Sequence, residues 1–188
     1  VIASVAQKHQ DLIALTAGDS KYVYHLPLKG SRPHIERILQ YINNHTTLDA
    51  PVSDLSNLLD YVRRTNRRRM LLVVISDNLQ FAGAQEQLLR RLGAQHELLF
   101  IAIDDLDPSA DNWKNHGLYD VDQPMPLPSF VRRQVEVSKA YEALRHTEWQ
   151  AANRTLEHIR VTSIRIDSED AVVNQVVRLL EKFKHVRS

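Results

Sequence analysis

The run Leu71-Leu72-Val73-Val74-Ile75 is apolar at every position and stops at Ser76-Asp77-Asn78. An unbroken apolar stretch of strand length, bounded by polar residues, predicts a strand buried on both faces, as in a parallel sheet. A second run, His96 to Ile103, ends in Asp104-Asp105-Leu106-Asp107-Pro108, and a third, Arg160 to Ile166, carries Val161, Ile164 and Ile166. Upstream, Asp11 to Ala17 ends at the turn signal Gly18-Asp19-Ser20, and alternation follows over Lys21 to Leu28. Two strands about a short turn predict a hairpin, and Pro27 places its second strand at an edge.

Between these runs the spacing changes to that of helices. Residues 1 to 9 read as the end of one helix. Ser31 and Pro33 open another, with Ile35, Ile38, Leu39 and Ile42 on its apolar face. Pro51-Val52-Ser53-Asp54 leads into a third, which Ser53 is expected to cap, with Leu55, Leu58, Leu59 and Val62 turned inward. Leu88, Leu89 and Leu92 mark a fourth, which Gly93 is expected to end. Residues 106 to 129, rich in Pro, Asp and Asn, read as a long loop with a short strand at Gly117 to Val121. Residues 130 to 158 read as helical. Asp167 or Ser168 is expected to cap a last helix that buries Val172, Val173, Val176, Val177, Leu180 and Phe183. Strands alternating with helices predict one α/β domain over residues 1–188: an open, mostly parallel sheet with helices on both faces.

Composition removes several function classes. With 43% hydrophobic residues the chain can build a core, and a net charge of +1 gives no broad basic field, so nucleic acid is not an expected partner. Arg63, Arg64, Arg67, Arg68 and Arg69 end a helix, where cations are favoured by the negative end of the dipole. The absence of cysteine excludes disulfides, thiolate catalysis and cysteine zinc sites. No apolar run approaches the roughly 20 residues of a bilayer span. There is no His-Glu-x-x-His pair, no Gly-x-Ser-x-Gly elbow and no glycine-rich phosphate loop. His34, His146 and His158 fall on helices at unrelated positions and read as surface or capped residues. Trp113, Tyr119 and Trp149 read as packing residues with a second use at an interface. The chain opens inside a helix pattern, Val1 to Ala6, without an initiator Met, and is expected to be a fragment of a longer protein.

In open α/β sheets ligands collect at the carboxyl ends of the strands. Asp77, at the end of the most apolar strand, is therefore the first candidate for function. Asp104, Asp105 and Asp107 form an acidic cluster at the next strand tip.

Taken in order, Asp11-Leu12-Ile13-Ala14-Leu15, then Val52-Ser53-Asp54-Leu55 with Leu58 and Leu59, then Arg67-Arg68-Arg69-Met70 running into Leu71 to Asp77, then His96 to Asp105, then Ile164-Arg165-Ile166-Asp167 resemble the von Willebrand factor A-like module of the bacterial domain-of-unknown-function 58 family. The resemblance covers nearly the whole chain. It implies a Rossmann-like sheet and a metal-ion-dependent adhesion site, in which an Asp-x-Ser-x-Ser stretch, a hydroxyl before a later helix and an Asp after a strand hold magnesium or manganese. Oxygen ligands suit those ions. Ser53 falls at the hydroxyl position and Asp77 at the aspartate position; the Asp-x-Ser-x-Ser stretch is missing. No cofactor is therefore expected in these residues, with magnesium or manganese implied for the full-length protein.

The resemblance also implies that the first strand, central in this fold, lies upstream of Val1. Its loss leads us to expect either that the Asp11–Ala17 strand closes against the Met70–Ile75 strand or that a second copy fills the gap, as a homodimer. The expected function is a non-enzymatic protein–protein interaction module, partnered by a MoxR-type AAA+ ATPase in assembly or maturation of a client. The expected location is cytoplasmic, with membrane attachment only through upstream segments. The alternatives are a magnesium-dependent hydrolase using Asp77 and Asp104, and a metal-free structural or oligomerisation domain.

Overall fold

The computed structural model describes residues 1–46, 51–81, 83–104 and 135–187. Its elements run α1 (Ile2–Lys8), β1 (Ile13–Gly18), β2 (Val23–Lys29), α2 (Arg32–His45), α3 (Leu55–Thr65), β3 (Leu71–Ser76), α4 (Gly83–Gln95), β4 (Glu97–Ile103), α5 (Val135–His158), β5 (Thr162–Ile166) and α6 (Val172–Arg187). The loop and short strand expected between residues 106 and 129 lie outside the described residues.

The architecture is mixed α/β. Strands β3, β4 and β5 form an open parallel sheet in that order, with Leu71 opposite Glu97 and Leu99 opposite Thr162. β4 is its middle strand, and its alternation feeds two cores. Leu98, Phe100 and Ala102 face Leu55, Leu59 and Val62 of α3, Leu89 and Leu92 of α4, and Ala152 and Leu156 of α5. Leu99 and Ile101 face Val176 and Leu179 of α6, with Ile2 of α1 against the same cluster. The sheet is thus covered on both faces, as the strand–helix alternation predicts.

β1 and β2 make a separate antiparallel hairpin. Its turn is set by Asp19, whose Oδ1 accepts from the backbone N–H of Lys21 at 2.7 Å and of Tyr22 at 3.0 Å. Gly18 is required there, because a Cβ would stand 2.1 Å from the Tyr22 carbonyl oxygen. The ladder slips between Ile13 and Leu15, opposite Lys29 and Leu26. The extra residue of β2 falls beside Pro27, which has no N–H to give to a ladder.

The expected closure of the Asp11–Ala17 strand on the Met70–Ile75 strand does not occur: no ladder joins the two sheets. β1 spends one edge on β2, and an apolar slot separates its other edge from β3.

Several boundaries also differ from expectation. Asp54, not Ser53, caps α3, its Oδ1 accepting from Asn57 N–H at 3.0 Å. Ser31 is the N-cap residue of α2, but its backbone carbonyl, not its hydroxyl, accepts from His34 and Ile35. Leu39 and Ile42 are exposed, and His34 is buried in their place beside Ile35 and Ile38. Gly93 lies inside α4, which runs on to Gln95. In α6, Leu179 is buried while Val173 and Val177 are exposed, and the turn before it is closed by backbone bonds from Ala171 to Ser168 and from Val172 to Glu169.

Candidate functional site

β3 delivers Asp77 to its carboxyl tip. The turn beyond is built by its neighbours: Ser76 Oγ accepts from Asn78 N–H at 3.1 Å, and Asn78 Oδ1 from Gln80 N–H at 2.9 Å. Asp77 itself is exposed, and no described residue bonds or pairs with its carboxylate. Ser53 is exposed one residue before the Asp54 cap. Because α3 runs back against the sheet before β3 begins, its N-terminus and the tip of β3 share one end of the domain. The structure thus brings both predicted residues to one end of the sheet.

Asp104, another carboxylate of that end, is already engaged. Arg145 of α5 donates to its Oδ1 from Nη2 at 2.9 Å and from Nε at 3.3 Å, and Arg165 of β5 donates from Nη2 to its Oδ2. The three side chains are largely buried. Arg145 also pairs with Glu148 at 3.5 Å, and Glu148 accepts from Gln80 Nε2 at 3.2 Å. A polar network therefore crosses the strand tips from the turn after β3 to β5. Arg145, Glu148 and Arg165 were not legible as a group in the sequence. They stand up to 68 residues from their partners and form no local motif.

Ser53 and Asp77 supply two oxygen donors, and among the described residues no three His, Asp or Glu side chains gather as a metal site. Magnesium asks for near-octahedral oxygen coordination. These residues do not by themselves fit the ion.

The slot between the two sheets is the larger feature. It encloses about 460 Å³. Its walls are Ile13 to Thr16 of β1 and Leu71 to Ile75 of β3; Leu55, Leu58, Leu59 and Val62 of α3 and Ile2 and Ala6 of α1 also line it.

The remaining candidates have structural duties. His34 is buried, and its Nε2 lies 3.0 Å from the Ile13 carbonyl oxygen, fastening α2 to β1. The basic tract is partly neutralised: Arg63 and Arg64 each reach Asp60 at 2.6 Å, and Arg69 pairs with Glu97. Hydrogen bonding from Arg63 is the main reason that the Asp60 carboxyl sits below its ordinary range. Trp149 packs on the core under α5.

An open parallel sheet, three-stranded among the described residues and flanked by helices, with candidate residues at its carboxyl end, defines the class of protein. The chain belongs to the family described as protein of unknown function DUF58, whose model matches residues 1–158. β5 and α6 lie beyond that span yet complete the second core. No curated protein and no solved structure matches the chain. No helix among the described residues is long and apolar enough to cross a membrane.

Proposed function

We propose that this chain is a von Willebrand factor A-like interaction module, non-enzymatic, which recognises a protein partner at the carboxyl end of its parallel sheet. The supporting observation is the contrast between two aspartates at that end. Asp77 is exposed and has no described partner, so it remains available to an incoming group. Asp104 is held by two guanidiniums. A hydrolase built on Asp77 and Asp104 around magnesium requires both carboxylates to face the ion. Freeing Asp104 would strand two buried cations, at a cost of several kcal/mol, which argues against that reading.

The partner we propose is a MoxR-type AAA+ ATPase, by the resemblance to the family's von Willebrand factor A-like members, and the role is assembly or maturation of a client. In the full-length protein, magnesium or manganese would add its charge at Asp77 if upstream residues supply the other ligands. The test is calorimetric titration of this chain, and of its Asp77→Ala variant, into the MoxR-type ATPase of the same genome. Binding that weakens about tenfold in Asp77→Ala, roughly 1.4 kcal/mol, at an unchanged melting temperature supports the reading. Undiminished binding by Asp77→Ala overturns it in favour of a structural or oligomerisation domain.

A further inference from the structure

Three helices end where the strands of the parallel sheet begin. α3, α4 and α5 each run back along the same face before the next strand, so their last turns gather at the amino end of the sheet, opposite Asp77. Two contacts hold the group together. Gln95 at the end of α4 donates from Nε2 to the Asn66 carbonyl oxygen at 3.0 Å, and a Cβ on Gly93 would stand 3.9 Å from the Ile159 carbonyl oxygen.

Each of these helix ends carries arginine. Arg63 and Arg64, in the last turn of α3, answer its dipole and share Asp60. Arg67 and Arg68 follow beyond that helix, Arg91 stands near the end of α4, and Arg160 follows α5. These four are exposed, and no described residue pairs with their guanidiniums. The acidic side chains beside them are engaged: Asp60 by Arg63 and Arg64, Glu97 by Arg69, while Glu157 accepts from Asn153 Nδ2 at 2.8 Å. This end is therefore positive, although the whole chain carries only +1. Arg160 is also at φ 60°, in a cap closed by bonds from Arg160 N–H to Glu157 at 2.9 Å and from Val161 N–H to Leu156 at 2.8 Å. Glycine is the usual residue there, so the turn itself does not call for an arginine.

The chemistry narrows what fits. Guanidinium forks match carboxylates two bonds at a time. A face that lies on anionic lipid adds aromatic or apolar anchors, and one that holds single-stranded nucleic acid adds stacking rings. Among the described residues the exposed aromatic is Tyr22. It lies in the hairpin turn, which is bonded through Ser20 to Val52 at the other end of α3. Duplex nucleic acid asks for a broad basic field, which a balanced chain does not make. A short acidic stretch of protein needs none of these.

We propose that the amino end of the parallel sheet is a docking face for an acidic segment of a partner protein, its carboxylates held by Arg67, Arg68, Arg91 and Arg160. Asp77, at the opposite end, plays no part in it.

The test is fluorescence anisotropy at physiological ionic strength, with a labelled glutamate-rich peptide of about ten residues titrated with the 188-residue chain. Saturable binding is expected, weakening with added salt, and none to the same peptide with glutamine in place of glutamate. The double variant Arg67→Ala, Arg68→Ala should bind about tenfold more weakly, and Arg160→Gly about threefold more weakly. Arg160→Gly should do so at an equal or higher melting temperature, a combination that a purely structural residue would not give. Lys139→Ala removes the same charge from α5 beyond Arg145, at the far end of the sheet; it and Asp77→Ala should bind as the unaltered chain does. Absent binding, or undiminished binding by the arginine variants, overturns the proposal. So does tighter binding to phosphatidylglycerol vesicles or to duplex DNA than to the peptide, which would give the face to a lipid surface or a nucleic acid.

Discussion

Arg145, in the middle of the longest helix, holds Asp104 at the tip of β4 from Nη2 at 2.9 Å, across 41 residues of sequence. Arg165 on β5 grips the other carboxylate oxygen. One aspartate thus ties a helix and two strands together at the end of the sheet where ligands of such folds bind.

Removing that aspartate leaves two buried guanidiniums without their counter-charge. Asp104→Ala should destabilise the fold by about 3–5 kcal/mol, the usual cost of breaking a buried pair from one side. Asp104→Asn, which keeps an acceptor, should cost less. Urea unfolding of the three proteins measures the difference.

The residues around α3 and β3 separate an aspartate with a structural bond from one without. Asp54→Ala should lose about 1 kcal/mol with its cap on Asn57. Ser53→Ala and Asp77→Ala should stay within about 0.5 kcal/mol of the unaltered chain, being exposed with no described partner. Parallel thermal unfolding curves check all three. A large loss in Asp77→Ala would reveal a structural duty for that carboxylate.

His96, 3% exposed between α4 and β4, makes the fold sensitive to acid. Neither ring nitrogen makes a hydrogen bond of ordinary geometry. Burial pushes its pKa down, and the backbone of Arg68 opposes that only in part. As the pH falls, the unfolded chain therefore takes up this proton before the folded one does. The stability contributed by neutral His96 is complete above the unfolded imidazole value of about 6.5 and is lost progressively below it. Unfolding at pH 7.5 and 5.5 should show stability rising with pH, and His96→Leu should reduce that slope.

Phe100 is fully buried on β4, with Phe81 edge-on at 5.4 Å between ring centroids. Phe100→Ala should cost about 3–5 kcal/mol, because α3, α4 and α5 converge on that side of the strand. Chemical denaturation gives the value directly.

Local pattern announced most of the elements. Leu71 to Ile75 and His96 to Ile103 are apolar enough to read as buried strands, and Gly18-Asp19-Ser20 names its own turn. Errors arose where long-range contacts decide. Leu39, Ile42, Val173 and Val177 have helical spacing but face solvent, since a helix pattern does not say how wide a face its neighbours cover. The cap of α3 went to Asp54 instead of Ser53, a one-residue choice among adjacent cap formers. At the candidate site Asp77 was legible because a carboxylate ended an apolar run. The engagement of Asp104 was not, because its two arginines come from distant elements. The separation of β1 from β3 depends on a pairing that no local signal records.

The slip in the hairpin at Pro27 and the lack of a ladder between β1 and β3 also shape how the molecule breathes. The hairpin is tied to the rest through side-chain packing and a few single bonds, such as those from Ser20 to Val52 and between His34 and Ile13. The three parallel strands are clamped between helices. Amide protons of β1 and β2 should therefore exchange with solvent through a partial opening that leaves β4 protected, so the chain carries a built-in seam along which it comes apart first.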